Sequence, residues 1–163
     1  MFNRISCFFY TVKTSLPALI FGVASLFVSP QLLASDEKID LTQYQGKVIY
    51  LDFWASWCVP CRRSFPWLND MEQKYKDQGF KIVAINLDEE KQLAETFLQQ
   101  YPAIFKIHFD PQGNLAQQYK LKGMPSSFIL DKDGKVKFSH VGFRTNQLEK
   151  YEQHIIEALN EGE

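Results

Sequence analysis

Two thiols stand three positions apart in Cys58-Val59-Pro60-Cys61. A structural zinc site needs four ligands, commonly two such pairs or one pair plus two histidines. This chain has one pair, and His108, His140 and His154 are scattered without ligand spacing. Metal binding is therefore the weaker reading. A stapling disulfide is also weak, because a two-residue gap closes a tiny loop and removes little chain entropy. The chemistry left is thiol–disulfide exchange, with Cys58 and Cys61 as a redox couple and no other cofactor. The third cysteine, Cys7, lies in an N-terminal leader.

The thiolate is the nucleophile, so neighbouring elements must bring the thiol pKa well below its free value of about 8.5. Val48-Ile-Tyr-Leu-Asp-Phe-Trp54 is β-branched and aromatic throughout and reads as a buried central strand. Residues 59–78 read as a helix, with Trp67, Leu68, Met71 and Tyr75 near one face and Gly79 as its stop. This layout predicts Cys58 at a helix N-terminus, where unpaired N–H groups favour an anion. Arg62 and Arg63 add positive charge nearby, and Pro60 in the first turn has no N–H to lose. Cys61, one turn in, is expected to stay shielded and protonated until it attacks a mixed disulfide formed by Cys58. Trp57 is expected at the edge of a substrate groove. Trp54 reads equally as a core aromatic, and Pro66 inside the helix predicts a kink.

Further on, residues 80–87 read as a second buried strand and 89–101 as a helix stopping before Pro102. Residues 104–109 read as a short strand closed by Asp110-Pro-Gln-Gly113. A short helix spans 115–121, and strands at 126–130 and 135–141 form a hairpin. Asn146 is expected to cap the last helix, with Glu149 completing a capping box. Leu148, Tyr151, Ile155, Ala158 and Leu159 form that helix's apolar stripe. The alternation predicts an α/β fold: a mixed central sheet with helices on both faces. Tyr101, Phe105 and Phe109 read as core, and His108 and His140 as strand residues without catalytic work.

The 163 residues suit one domain, with fourteen Phe, seven Tyr and three Trp to fill its core. A net charge of −1 argues against a nucleic-acid binder. Residues 1–34 carry Arg4 and Lys13, no acid, an apolar run from Leu16 to Val28, and Ala34 before an acidic junction. That is the pattern of a secretory signal peptide, with an uncleaved anchor as the alternative. Either reading puts the domain, residues 35–163, in the periplasm or otherwise outside the cytoplasm.

The stretch Asp52-Phe-Trp-Ala-Ser-Trp-Cys-Val-Pro-Cys61 resembles the strand-to-active-site signature of the thioredoxin superfamily, and Gly123-Met-Pro125 before a strand resembles its second signature. The resemblance covers roughly residues 36–160. It implies a cis peptide at Met124-Pro125, a proline packed against the cysteines, and a Met124 backbone that pairs with substrate. Trp57, Val59 and Pro60 complete the implied substrate rim. The 64-residue spacing from Cys61 to Pro125 is longer than in minimal thioredoxins. It matches the inserted helix–strand unit of the TlpA/ResA-like branch, whose exported members are commonly reductases. Many of that branch carry Glu three residues after the second cysteine, where this chain has Ser64. Many carry Asn six residues before the first, where this chain has Asp52, as in thioredoxin. Asp52 is expected to do the proton handling that the absent Glu does elsewhere, because burial raises a carboxyl pKa.

Val59-Pro60 lacks the His of strongly oxidising exported relatives, which leans toward a reductase. The implied partners are exported proteins with disulfides or thiols and a membrane-bound thiol electron donor, with the domain acting as a monomer. The alternatives are an oxidase or isomerase of the same fold, and a non-catalytic binding module using the groove beside Cys58.

Overall fold

The computed structural model describes residues 40–161, all within one compact unit, Glu37–Glu163. The leader and Cys7 lie outside the described residues. Among the described residues there are five strands: β1 (Val48–Trp54), β2 (Phe80–Asn86), β3 (Lys106–Phe109), β4 (Ser126–Leu130) and β5 (Val136–Val141). The helices are α1 (Cys61–Tyr75), α2 (Lys91–Gln100), α3 (Asn114–Gln118) and α4 (Leu148–Asn160). The sheet runs β3-β2-β1-β4-β5. β2 pairs in parallel with β1 and β3, while β4 runs antiparallel to β1 and β5. The expected mixed sheet is therefore present, and β3 from the inserted unit forms one of its edges.

Every residue of β1 is buried, because both faces of the sheet are covered. Val48, Tyr50 and Trp54 face a core built with α1, α2 and α4. Ile49, Leu51 and Phe53 face a second core with Leu115, Tyr119 and Phe128. In the first core Trp54, Phe65 and Phe97 meet at centroid distances of 4.7–5.0 Å, within the range where aromatic rings attract edge to face.

Several boundaries differ from the sequence expectation. The first helix begins at Cys61, not at residue 59, because the 58–60 segment forms a tight turn. In it Cys61 N–H donates to Cys58 O at 3.1 Å and Arg62 N–H to Val59 O at 3.2 Å. α1 ends at Tyr75 and tightens into a 3₁₀ turn, Lys76–Gln78, before Gly79 takes the left-handed conformation. The strand expected over 104–109 pairs only from Lys106. Asn69 on α1 claims the preceding segment, accepting Ile104 N–H at 3.0 Å and donating to Pro102 O at 2.8 Å. The third helix is shorter than 115–121, since Lys120 turns left-handed. Asp110 caps it, its carboxylate accepting the N–H groups of Asn114, Leu115 and Ala116.

The expected Asn146–Glu149 capping box is not formed. Asn146 sits inside a 3₁₀ turn, Thr145–Gln147, so α4 starts at Leu148 with no side-chain cap. The Tyr151 hydroxyl serves that end instead, accepting Arg144 N–H at 3.2 Å and donating to Gln147 Oε1 at 3.2 Å.

Candidate active site

β1 ends at Trp54, and a short turn delivers the cysteines to the start of α1. Cys58 and Cys61 are joined as a disulfide with an S–S distance of 2.01 Å. Both are buried, and both belong to the aromatic core cluster. Cys58 N–H donates to Ala55 O at 3.1 Å, which sets the turn. The sequence expectation puts Cys58 directly at the N-terminus of a helix over 59–78, whereas α1 begins three residues after it, at Cys61. Cys58 stands just ahead of α1, and the first amides of the helix are already engaged by the 58–60 carbonyls. The helix therefore acts on the sulfur through its dipole more than through free N–H groups. Ser64 turns its hydroxyl back onto Cys61 O at 3.1 Å.

Around this buried pair lies an exposed apolar rim. Trp57 is 66% exposed and Val59 57%, so Trp57 stands at the surface while Trp54 is core. Arg62 and Arg63 point to solvent. Ser56, Arg62, Leu93, Phe97 and Tyr101 line a cavity of about 220 Å³ beside the turn. Phe105 is buried, and Tyr101 and Phe109 pack against the core.

The Met124-Pro125 peptide is cis, as expected. Pro125 is buried, and its carbonyl accepts Gly142 N–H at 2.7 Å. Met124 packs into the cluster that holds both cysteines.

Asp52 is buried in mid-strand rather than partly solvated at a strand end. The two-residue period of β1 puts it on the face that carries Tyr50 and Trp54, toward the cysteine cluster. Its Oδ2 has no hydrogen-bond partner among the described residues. Burial holds its carboxyl well above the usual carboxylate range.

Two features escaped sequence reasoning. Asp88, buried after β2, accepts Ser56 N–H at 2.9 Å and Ser56 Oγ–H at 2.8 Å. His140, read as an idle strand residue, hydrogen-bonds Ser127 and His154. Both contacts join positions far apart in the chain, so no local motif signals them.

The Redoxin family profile matches residues 13–155. The chain belongs to the Redoxin family. This redoxin is 36% identical over 131 residues to thiol-disulfide oxidoreductase ResA of Bacillus thuringiensis, covering 78% of this chain and 76% of that protein. ResA of Geobacillus thermodenitrificans is 35% identical over 147 residues, covering 90% and 81%. Among solved structures, a Chlorobium tepidum protein described as a candidate thiol:disulfide interchange protein DsbE matches with TM-score 0.73 and 52% identity, over 75% of this chain and 86% of that one. StoA from Bacillus subtilis matches with TM-score 0.59 and 27% identity, over 68% and 83%. The redoxin is thus a TlpA/ResA-like thiol–disulfide oxidoreductase of thioredoxin fold, acting on proteins that carry thiols or disulfides.

Proposed function

We propose that this redoxin is an exported reductase of protein disulfides, with Cys58 as the attacking sulfur and Cys61 as the resolving one. The observation that carries the reading is the Cys58–Cys61 disulfide, set at the start of α1 beneath an exposed Trp57 and Val59 rim. The Cys58 thiolate attacks a substrate disulfide, forms a mixed disulfide and releases one substrate thiol. Cys61 gives its proton to Asp52 and attacks the Cys58 sulfur, releasing the second thiol and closing the disulfide described here. Two electrons pass to the substrate, and a membrane-bound thiol donor restores the dithiol. Trp57, Val59, Pro60 and the Met124 backbone hold the substrate chain, with Pro125 backing the sulfurs. No cofactor beyond the cysteine pair takes part. The basic, apolar, acid-free leader supports a place outside the cytoplasm.

The test is to trap partners with Cys61→Ser in the exporting cell and to measure the reduction potential of the wild-type couple. Mixed disulfides through Cys58 and a potential at or below roughly −250 mV support a reductase. A potential near that of strong oxidants, roughly −120 mV, assigns the oxidase role instead. Absence of any mixed disulfide overturns the enzymatic reading.

A further inference from the structure

Three residues on one face of the sheet are register partners across three strands. Asp52 on β1 opposes Ser127 on β4, and Ser127 opposes His140 on β5. Directly opposed residues of antiparallel strands share a face, with Cβ atoms about 4.5–5.5 Å apart. The side chains of Ser127 and His140 are linked, with Ser127 Oγ 3.2 Å from His140 Nδ1. His140 Nε2 lies 2.9 Å from Nδ1 of His154 on α4.

The tautomers of His140 and His154 set the donors in this series. Tyr50 Oη–H donates to Ser127 Oγ at 2.9 Å. In the His140 tautomer with its proton on Nε2, Ser127 Oγ–H donates to His140 Nδ1. His140 then carries its own proton on Nε2 and donates to His154 Nδ1, and His154 carries its proton on Nε2. His154 is half-buried, so this end meets solvent. Both rings are held in place. His154 stacks on Phe138 at 4.0 Å, and His140 meets the Tyr151 ring edge-on at 4.8 Å. At the inner end, the unpartnered Oδ2 of Asp52 shares the face of Ser127.

We propose that Ser127, His140 and His154 form a proton path between Asp52 and solvent. The proposal rests on the reading that Asp52 receives the Cys61 proton. Asp52 is not hydrogen-bonded to Ser127 in the disulfide form, so once protonated it turns to the opposing Ser127 Oγ and passes that proton on, and the Ser127 proton moves to His140 Nδ1. The His140 Nε2 proton moves to His154 Nδ1, and the His154 Nε2 proton leaves to water. One proton enters, one leaves, and no electron moves. The passage leaves both imidazoles in the opposite tautomer. Reduction of the disulfide requires a proton back at Cys61, and inward passage along the same groups restores the starting tautomers. The redox cycle therefore resets its own path.

A ring that is already cationic cannot accept a proton. Burial, with His154 and Lys150 nearby, lowers the His140 pKa to about 4, so it is neutral at neutral pH. Burial and Lys150 lower His154 while Glu157 opposes them. On β1 the titratable neighbours are Tyr50 and Asp52, and burial keeps Tyr50 protonated.

The test mixes the reduced full chain carrying Cys7→Ser with one equivalent of dithiobis(nitrobenzoate). The Cys58 thiolate takes one thionitrobenzoate group and releases a first anion in a separate early phase; the readout is the second anion. Attack by Cys61 then yields the disulfide, the thionitrobenzoate anion and one proton. In weak buffer with a pH indicator dye, stopped flow reads anion release and proton release separately. In the wild type the two are expected to coincide. In His140→Asn and His154→Ala, proton release is expected to lag by about tenfold, a modest share of what general acid–base groups contribute, and imidazole is expected to restore it in His154→Ala. His154→Ala, at the half-exposed end, serves where His140→Asn fails to fold. Coincident traces in the His variants, alongside slow anion release in Asp52→Asn, overturn the path and leave the Asp52 reading intact. Unchanged anion release in Asp52→Asn overturns both.

Discussion

The Asp88 carboxylate accepts the backbone N–H of Ser56 at 2.9 Å, tying the end of β2 to the turn that carries Cys58. It also takes the Ser56 hydroxyl at 2.8 Å and Asn86 Nδ2 at 2.7 Å, so this buried acid is fully engaged. Asp88→Ala leaves a part-buried amide unpaired. The expected loss is about 1–3 kcal/mol, read by urea unfolding. Because Ser56 is two residues from Cys58, alkylation of the first thiol in the reduced protein should also slow. A variant with native stability and native alkylation would show that the clasp positions nothing.

Asp52 should make stability depend on pH. Its folded pKa is raised by burial, so between the unfolded and the folded value the folded state holds a proton that the unfolded chain has lost. The associated stability is complete below the unfolded value of about 3.8 and is lost as pH rises through the folded value. Asp52→Asn should match the wild type in acid and exceed it at neutral and alkaline pH. Each 1 kcal/mol gained raises the melting temperature by roughly 3–5 °C for a domain of this size. Parallel pH profiles for the two proteins would contradict the burial argument.

His140 acts in the opposite sense. Its folded pKa is about 4 against 6.5 unfolded, so the unfolded chain binds the extra proton between those values. Stability should fall as pH drops from 6.5 toward 4, and this part of the loss should be missing in His140→Asn. The ring is partly exposed, so solvent screening keeps the effect small. NMR titration of the imidazole reads the folded value directly, and an unshifted midpoint would refute it.

Glu72 clasps α1 to β2. Its Oε2 accepts Ile82 N–H at 2.7 Å in the buried core, and Oε1 meets Lys81 Nζ at 3.0 Å. Glu72→Ala should cost about 1–3 kcal/mol, since a buried N–H loses its acceptor. Lys81→Met should cost less than about 1 kcal/mol, because the Lys81 end is exposed. Denaturant midpoints for the two variants test that ranking, and equal losses would mean the ion pair matters as much as the amide bond.

Much of this protein was legible from local pattern. The Cys58–Cys61 spacing identifies the redox couple, and apolar runs, turn residues and helical stripes place every strand and helix within a few residues. Those signals are short-range, arising from neighbours along the chain. The cis Met124-Pro125 peptide came from resemblance, since no local signal distinguishes it.

What escaped was decided by contacts between distant segments. Asn69 takes the amide of Ile104 and shortens β3, and the 58–60 turn displaces the helix start to Cys61. Alternation along β1 assigns Asp52 to a face, but which residue stands opposite is a matter of strand register. Only the folded sheet sets Ser127 and His140 in line with Asp52, and only the packing of α4 brings His154 to meet them. The sequence alone determined the redox chemistry and the order of elements, because both are written in residue type and near spacing. Tertiary structure alone decided which buried polar groups meet, because register and helix docking are set by the whole core closing at once.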